Sequence, residues 1–88
     1  MTEKLVESMK LVDFSNIKLP LIVVYDHPSD YPDAYVARVW EAERNLPTNA
    51  LIKKDTLQEI REDIRSAGFI HCISRAAEDH PTIVESWI

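Results

Sequence analysis

A single glycine, Gly68, occurs in the 88 residues. Phosphate-cradling and dinucleotide-binding loops need several glycines so that the backbone can approach the ligand, and composition excludes both. The lone cysteine, Cys72, excludes an intrachain disulfide and a thiolate zinc framework. Long hydrophobic runs are missing too. The longest, at 19–25 (LPLIVVY), contains Pro20 and falls far short of the roughly 20 apolar residues that span a bilayer. The opening Met1-Thr2-Glu3-Lys4 is not followed by the apolar stretch of a secretory leader, which leaves a cytoplasmic location as the expectation. Bases are scarce, ten against fifteen acids for a net charge of −5. That balance disfavours phosphate backbones and anionic lipid, so neither nucleic acid nor membrane is an expected partner.

What is present suits one small domain. The apolar fraction is 45%, too high for a disordered chain. A domain of this size buries only about 60–65% of its unfolded surface, so its stability is modest. No internal repeat or low-complexity tract interrupts it.

Periodicity divides the chain into an N-terminal segment, 1–18, and a domain, 19–88. In the first segment Leu5, Met9 and Val12 fall at i, i+4 and i+7. They read either as a short amphipathic helix or as a terminus that orders only on a partner. The stretch 19–25 is β-branched, aromatic and nearly continuous, which predicts a central strand buried on both faces, with Pro20 at its start. The polar run 26–33 (DHPSDYPD) ends it. A second strand follows at 34–40, with Tyr35, Ala37 and Val39 on one face and Val36, Arg38 and Trp40 on the other. A polar connection is expected over 41–48 and a short third strand over 49–53. Thr56-Leu57-Gln58-Glu59 has the form of a capping box, and Leu57, Ile60, Ile64 and Ala67 line one helical face before Gly68 supplies a left-handed stop. Further strands are predicted at 69–74 and 82–88, separated by a charged turn at 76–81, with Ile83 and Trp87 on one face. The order strand, strand, strand, helix, strand, strand predicts an α+β fold with an antiparallel or mixed sheet of four or five strands and one helix packed on it.

Chemistry-bearing residues are few. Asp26, His27, Asp30 and Asp33 supply oxygen and nitrogen ligands within eight residues, so a divalent metal or a small hydrolase centre is one reading. Turn formation by Asp, Ser and Pro is the simpler one, and the glycine and glutamate of an EF-hand loop are absent. His71 and His80 are the histidines that could join such a centre. His71 and Cys72 are adjacent on a strand and so point to opposite faces, which prevents them from acting as base and nucleophile. A free cysteine in an apolar strand is expected to be buried and inert. Glu41 and Glu43 beside Trp40 read as a solvated loop rather than a glycosidase pair. The aromatics Trp40, Trp87, Tyr25, Tyr31 and Tyr35 lack the basic field of a base-stacking platform and read as core or protein interface. No catalytic residue and no cofactor is expected.

The stretch 19–63, running from LPLIVVYDHPSDYPDAYVARVW through LPTN to DTLQEIREDI, resembles small uncharacterised proteins of Gram-positive bacteria and their phages, a group with no activity to carry over. The run of three strands into a helix opening at Thr56-Leu57-Gln58-Glu59 is also similar to HicB-type antitoxins. That likeness implies an antitoxin-like regulator by element order, although the acidic-glycine hairpin and the DNA-binding segment of that family are absent from these residues. The leading expectation is a non-enzymatic protein-interaction module, self-association included, because an open sheet has edges that are either protected or recruit partners.

Overall fold

Thr56 and Gly68 bracket the one α-helix among the described residues, α1 (Leu57–Ser66), and both ends close as the sequence requires. The Thr56 hydroxyl accepts the Glu59 N–H (3.2 Å) and donates to the Glu59 carboxylate (3.0 Å), satisfying a free amide of the first turn. At the far end Gly68 has φ +100°. The Gly68 N–H donates to the Arg65 carbonyl (3.0 Å) and the Phe69 N–H to the Ile64 carbonyl (3.4 Å). This is a Schellman stop, and its apolar partners Ile64 and Phe69 both lie in the core. Ile60 and Ile64 are fully buried and Leu57 and Ala67 pack beside them. Each buried isoleucine contributes about 1.5–3 kcal/mol.

The computed structural model describes residues 4–76 and 81–88. Among them six strands form one sheet: β1 (Lys4–Leu5), β2 (Pro20–Asp26), β3 (Tyr35–Glu41), β4 (Leu46–Lys54), β5 (Cys72–Ser74) and β6 (Ile83–Trp87). Their spatial order is β1-β4-β3-β2-β6-β5. All neighbours are antiparallel except β1 and β4, so the sheet is mixed. The α+β class is as expected, but there are six strands rather than four or five.

The extra strand comes from the N-terminal segment, which is neither an α-helix nor an unattached end over its described residues. Lys4 and Leu5 pair with Ala50 and Leu51. A 3₁₀ turn at Met9–Leu11 then drops Met9, fully buried, into the core. Asp63 of α1 fixes this turn: its carboxylate accepts the Ser8 hydroxyl (2.7 Å) and the Met9 N–H (2.7 Å). The Leu5/Met9/Val12 spacing that suggested a helix instead serves a strand and a turn, with Asp63 holding the start of the turn at Ser8 and Met9.

As predicted, β2 lies inside the sheet, between β3 and β6. Ile22 and Val24 face α1 and are fully buried. Val23 faces the other way, where no described helix lies, yet is only 5% exposed. Its neighbours on that face include Arg38 and Ser86, and Val36 beyond them shares a recess with Tyr25, Pro28, Asp30 and Arg38. The alternation expected for β3 holds, since Ala37 and Val39 pair with Val24 and Ile22 on the helix side.

Two expectations fail through bulges. The polar connection at 41–48 shrinks to a turn at 42–45, with Asn45 at φ 54°, and β4 starts at Leu46. Pro47, opposite Trp40, lies outside the stretch of β4 that the described residues of β1 pair with. Where the β3–β4 register shifts, the Thr48 hydroxyl donates to the Val39 carbonyl (2.8 Å) and replaces a ladder bond. In β6 a register shift opposite Val24 and Tyr25 pairs Trp87 with Ile22 but Ile83 with Tyr25. Ile83 and Trp87 therefore occupy opposite faces, not one, because the extra residue of a bulge reverses the alternation.

Candidate functional site

The stretch at 26–33 folds as consecutive turns. The His27 N–H donates to the Ala34 carbonyl (3.0 Å), the Tyr31 N–H to the Pro28 carbonyl (2.9 Å) and the Ala34 N–H to the Tyr31 carbonyl (3.3 Å). His27 sits at φ 47°, its Nδ1 against the Asp26 carboxylate and its ring edge-on to Tyr35. Asp30 approaches Arg38 (3.8 Å), and Lys53 lies over the Tyr31 ring (5.7 Å). Asp33 is exposed. Asp26 and His27 are thus brought together, while Asp30 turns toward Arg38. Among the described residues no group of three or more His, Cys, Asp or Glu could hold a metal ion.

The other singled-out residues are scattered. His71 pairs with Ile88, which neighbours Trp87 opposite Ile22. It therefore lies by the start of β2, whereas Asp26 is the last residue of that strand. His80 and most of the expected turn at 76–81 lie outside the described residues. Glu41 closes β3 rather than lying in a loop, and its carboxylate accepts the Lys18 N–H (2.9 Å) and the Glu43 N–H (3.2 Å). Cys72 is exposed, not buried. The strand that carries it is the last in the sheet formed by the described residues.

The most ordered polar cluster is one that sequence reading did not select. Glu85 of β6 is 3% exposed and faces the helix side. It accepts two bonds from Arg61 Nε (3.1 and 3.2 Å), one from Arg61 Nη2 (2.7 Å) and one from Trp87 Nε1 (2.7 Å). Arg65 covers the Trp87 ring at 5.1 Å. Burial pushes the Glu85 carboxyl up, but the hydrogen bonds from Arg61 and Trp87 outweigh it and hold the group below the ordinary glutamate range. Partial burial, then the adjacent Glu85 charge, raise the Cys72 thiol, which makes it a poor nucleophile at neutral pH. The cluster ties α1 to β6 and so supports the strand outside it. Its sequence signal was present: a glutamate two residues before Trp87 in a strand must share the tryptophan's face.

That outer strand, β5, is the feature most exposed to a partner. After the Schellman stop, Phe69 anchors the chain in the core against Phe14, with ring centroids 5.3 Å apart. Ile70 then emerges, 71% exposed. His71 and Ile88 exchange both backbone bonds (3.2 and 3.0 Å), so they form a close pair. Antiparallel ladders alternate, which makes Cys72–Trp87 open, Ile73–Ser86 bonded and Ser74–Glu85 open. The backbone N–H and C=O of Cys72 and Ser74 therefore point away from β6, out of the sheet. Exposed apolar side chains flank them: Ile73 at 49%, Ile88 at 51% and Ile70 above. The opposite edge is blunted. There the described residues of β1 are Lys4 and Leu5, and β4 carries Pro47 and a bulge.

No protein-family model, no characterised protein and no solved structure matches the chain. A cleft of about 810 Å³ lies between the N-terminal segment and α1, with Leu5, Leu11, Lys10, Lys54 and Asp63 on its walls. Asp63 is committed to Ser8 and Met9, and Lys54 donates to the Glu7 carbonyl (3.1 Å). Asp63 and Lys54 thus hold the N-terminal segment in place. No helix among the described residues is long and apolar enough to cross a membrane.

Proposed function

We propose that the chain is a non-enzymatic protein-interaction module that engages its partner by strand addition at the β5 edge. The observation that carries this reading is the outward-facing, apolar-flanked backbone of Cys72 and Ser74 beside a well-anchored β6. The magnitudes constrain the partner. Two outward residues supply four hydrogen bonds, each worth about 0.5–1.5 kcal/mol net. Ordering a flexible peptide costs about 1–2 kcal/mol per residue. Three residues of disordered peptide would about break even, so the partner presents a strand that is already ordered and covers apolar surface as well.

Affinity capture with the wild type and two edge variants, Ile73→Asp and Ser74→Pro, tests the reading. Both positions are exposed, and the Ser74 N–H makes no bond to β6, so the fold survives each change. The partner captured by the wild type is lost with both variants. Capture of the same proteins at the same yield by all three would defeat the proposal. A metal or hydrolase centre on Asp26, His27, Asp30 and Asp33 has only the Asp26–His27 contact in its favour.

A further inference from the structure

Resting on that reading, we propose that the occupant of the β5 edge is the β5 edge of a second copy of this chain, paired antiparallel about a two-fold axis beside Ile73. The strand's length selects the register. In three residues, one whose groups point inward, Ile73, stands between two whose groups point outward, Cys72 and Ser74. Only a two-fold through Ile73 uses all the outward groups of both strands. It sets Cys72 of one copy opposite Ser74 of the other, as bonded pairs on each side of an Ile73–Ile73 contact.

That central pair is the non-bonded kind, in which side chains approach most closely, so two half-exposed isoleucines cover each other. Ile88 lies on the same face as Ile73, opposite His71, and extends the apolar surface inward. Of the seven large hydrophobic side chains that stand exposed among the described residues, Ile70, Ile73 and Ile88 gather at this edge. A second copy also meets the ordering requirement, because β6 already holds its β5 in strand conformation. Among the described residues α1 packs over β3 and β4 and reaches β6 through Arg61 and Arg65 on one face of the sheet, which leaves the outward backbone groups of β5 in the sheet plane uncovered by it. Two six-stranded sheets become one of twelve, with both helices on one face.

The test is amide exchange by NMR on the full chain over a concentration series from micromolar to millimolar, with light-scattering mass measured in parallel. The mass is expected to double. The Cys72 and Ser74 amides are expected to gain at least tenfold protection as it does, whereas the Ile73 amide, already bonded to β6, does not change. Ser74→Pro and Ile73→Asp hold the chain monomeric, with urea midpoints that match the wild type diluted to its monomeric range. A Cys72→Ser/Ile73→Cys variant gives a disulfide-linked dimer under mild oxidation. A monomer at millimolar concentration with unprotected Cys72 and Ser74 amides overturns the proposal. So does a dimer that persists in both edge variants, since pairing then lies elsewhere, for instance on the sheet face opposite α1. If the chain is monomeric but partner capture still fails with the edge variants, self-pairing is wrong and the interaction reading stands.

Discussion

Removing Arg61 is the sharpest test of how the sheet is held to its helix. Arg61→Ala deletes the three hydrogen bonds from Arg61 to Glu85, leaving a carboxylate whose side chain is 4% exposed with Trp87 and the Cys72 thiol beside it. Breaking a fully buried pair costs about 3–5 kcal/mol. The Arg61 side chain is 40% exposed, so water reaches the vacated side and the cost falls to about 2–3 kcal/mol. Against a total of roughly 4–13 kcal/mol for a chain of this length, that is a large fraction, and it lowers the melting temperature by roughly 10–20 °C. Urea unfolding followed by tryptophan fluorescence gives the value, with the denaturant slope unchanged. Arg61→Lys recovers less than half, because a point charge cannot reproduce the two-pronged contact. The pH dependence has a definite sign. Glu85 is held below its unfolded value, so its contribution is complete above that value and disappears as pH falls through the folded one. The wild type therefore loses stability on acidification below about pH 4.3, and Arg61→Ala loses less over the same interval. Stability of Arg61→Ala within about 0.5 kcal/mol of wild type, or an acid limb as steep as wild type's, would refute the reasoning.

Asp63→Ala frees the Ser8 hydroxyl and the Met9 amide together and is expected to cost about 1.5–3 kcal/mol. Its signature is loss of amide protection at Met9 before global unfolding. Gly68→Ala meets no atom within 4 Å, so its cost is backbone strain alone, about 1–2 kcal/mol by urea melt. Cys72 reacts with a maleimide in the native protein, because it is exposed. The midpoint of its pH–rate profile lies above the ordinary thiol value and drops in Glu85→Gln, where the neighbouring charge is gone. Titration with zinc, manganese, magnesium or calcium tests the 26–33 loop: a thermal shift that vanishes in Asp26→Ala/His27→Ala would reinstate a metal site there.

The helix and the inner strand were legible in the sequence because local chemistry decides them. Thr56, Glu59 and Gly68 set the ends of α1 whatever the tertiary context, and the unbroken run 19–25 suits only a strand covered on both sides. Position within the sheet was not legible. Nothing in FIHCIS says that β6, later in the chain, inserts between β2 and β5 and leaves Cys72 at the rim. Ile83 was assigned to the wrong face because a one-residue bulge is invisible to alternation. The N-terminal spacing was ambiguous until Asp63, 54 residues after Met9, supplied the acceptors for its turn. Glu85 was readable in principle. A lone acid on the apolar side of a terminal strand demands a buried partner, and α1 offers two arginines.

The strand order also shapes how the sheet is assembled and lost. β2, β3 and β4 form a meander of sequence neighbours with α1 following directly, so this half needs only short-range closure and is expected to form first. β5 is different: its sole neighbour is β6, made after it. A nascent chain that has not yet released Ile83–Trp87 carries a β2 edge lined with Ile22 and Val24 and a β5 with nothing to pair with. Clipping the chain before Ile83 would therefore remove two strands at once and uncover the most apolar strand in the molecule to proteases and to aggregation.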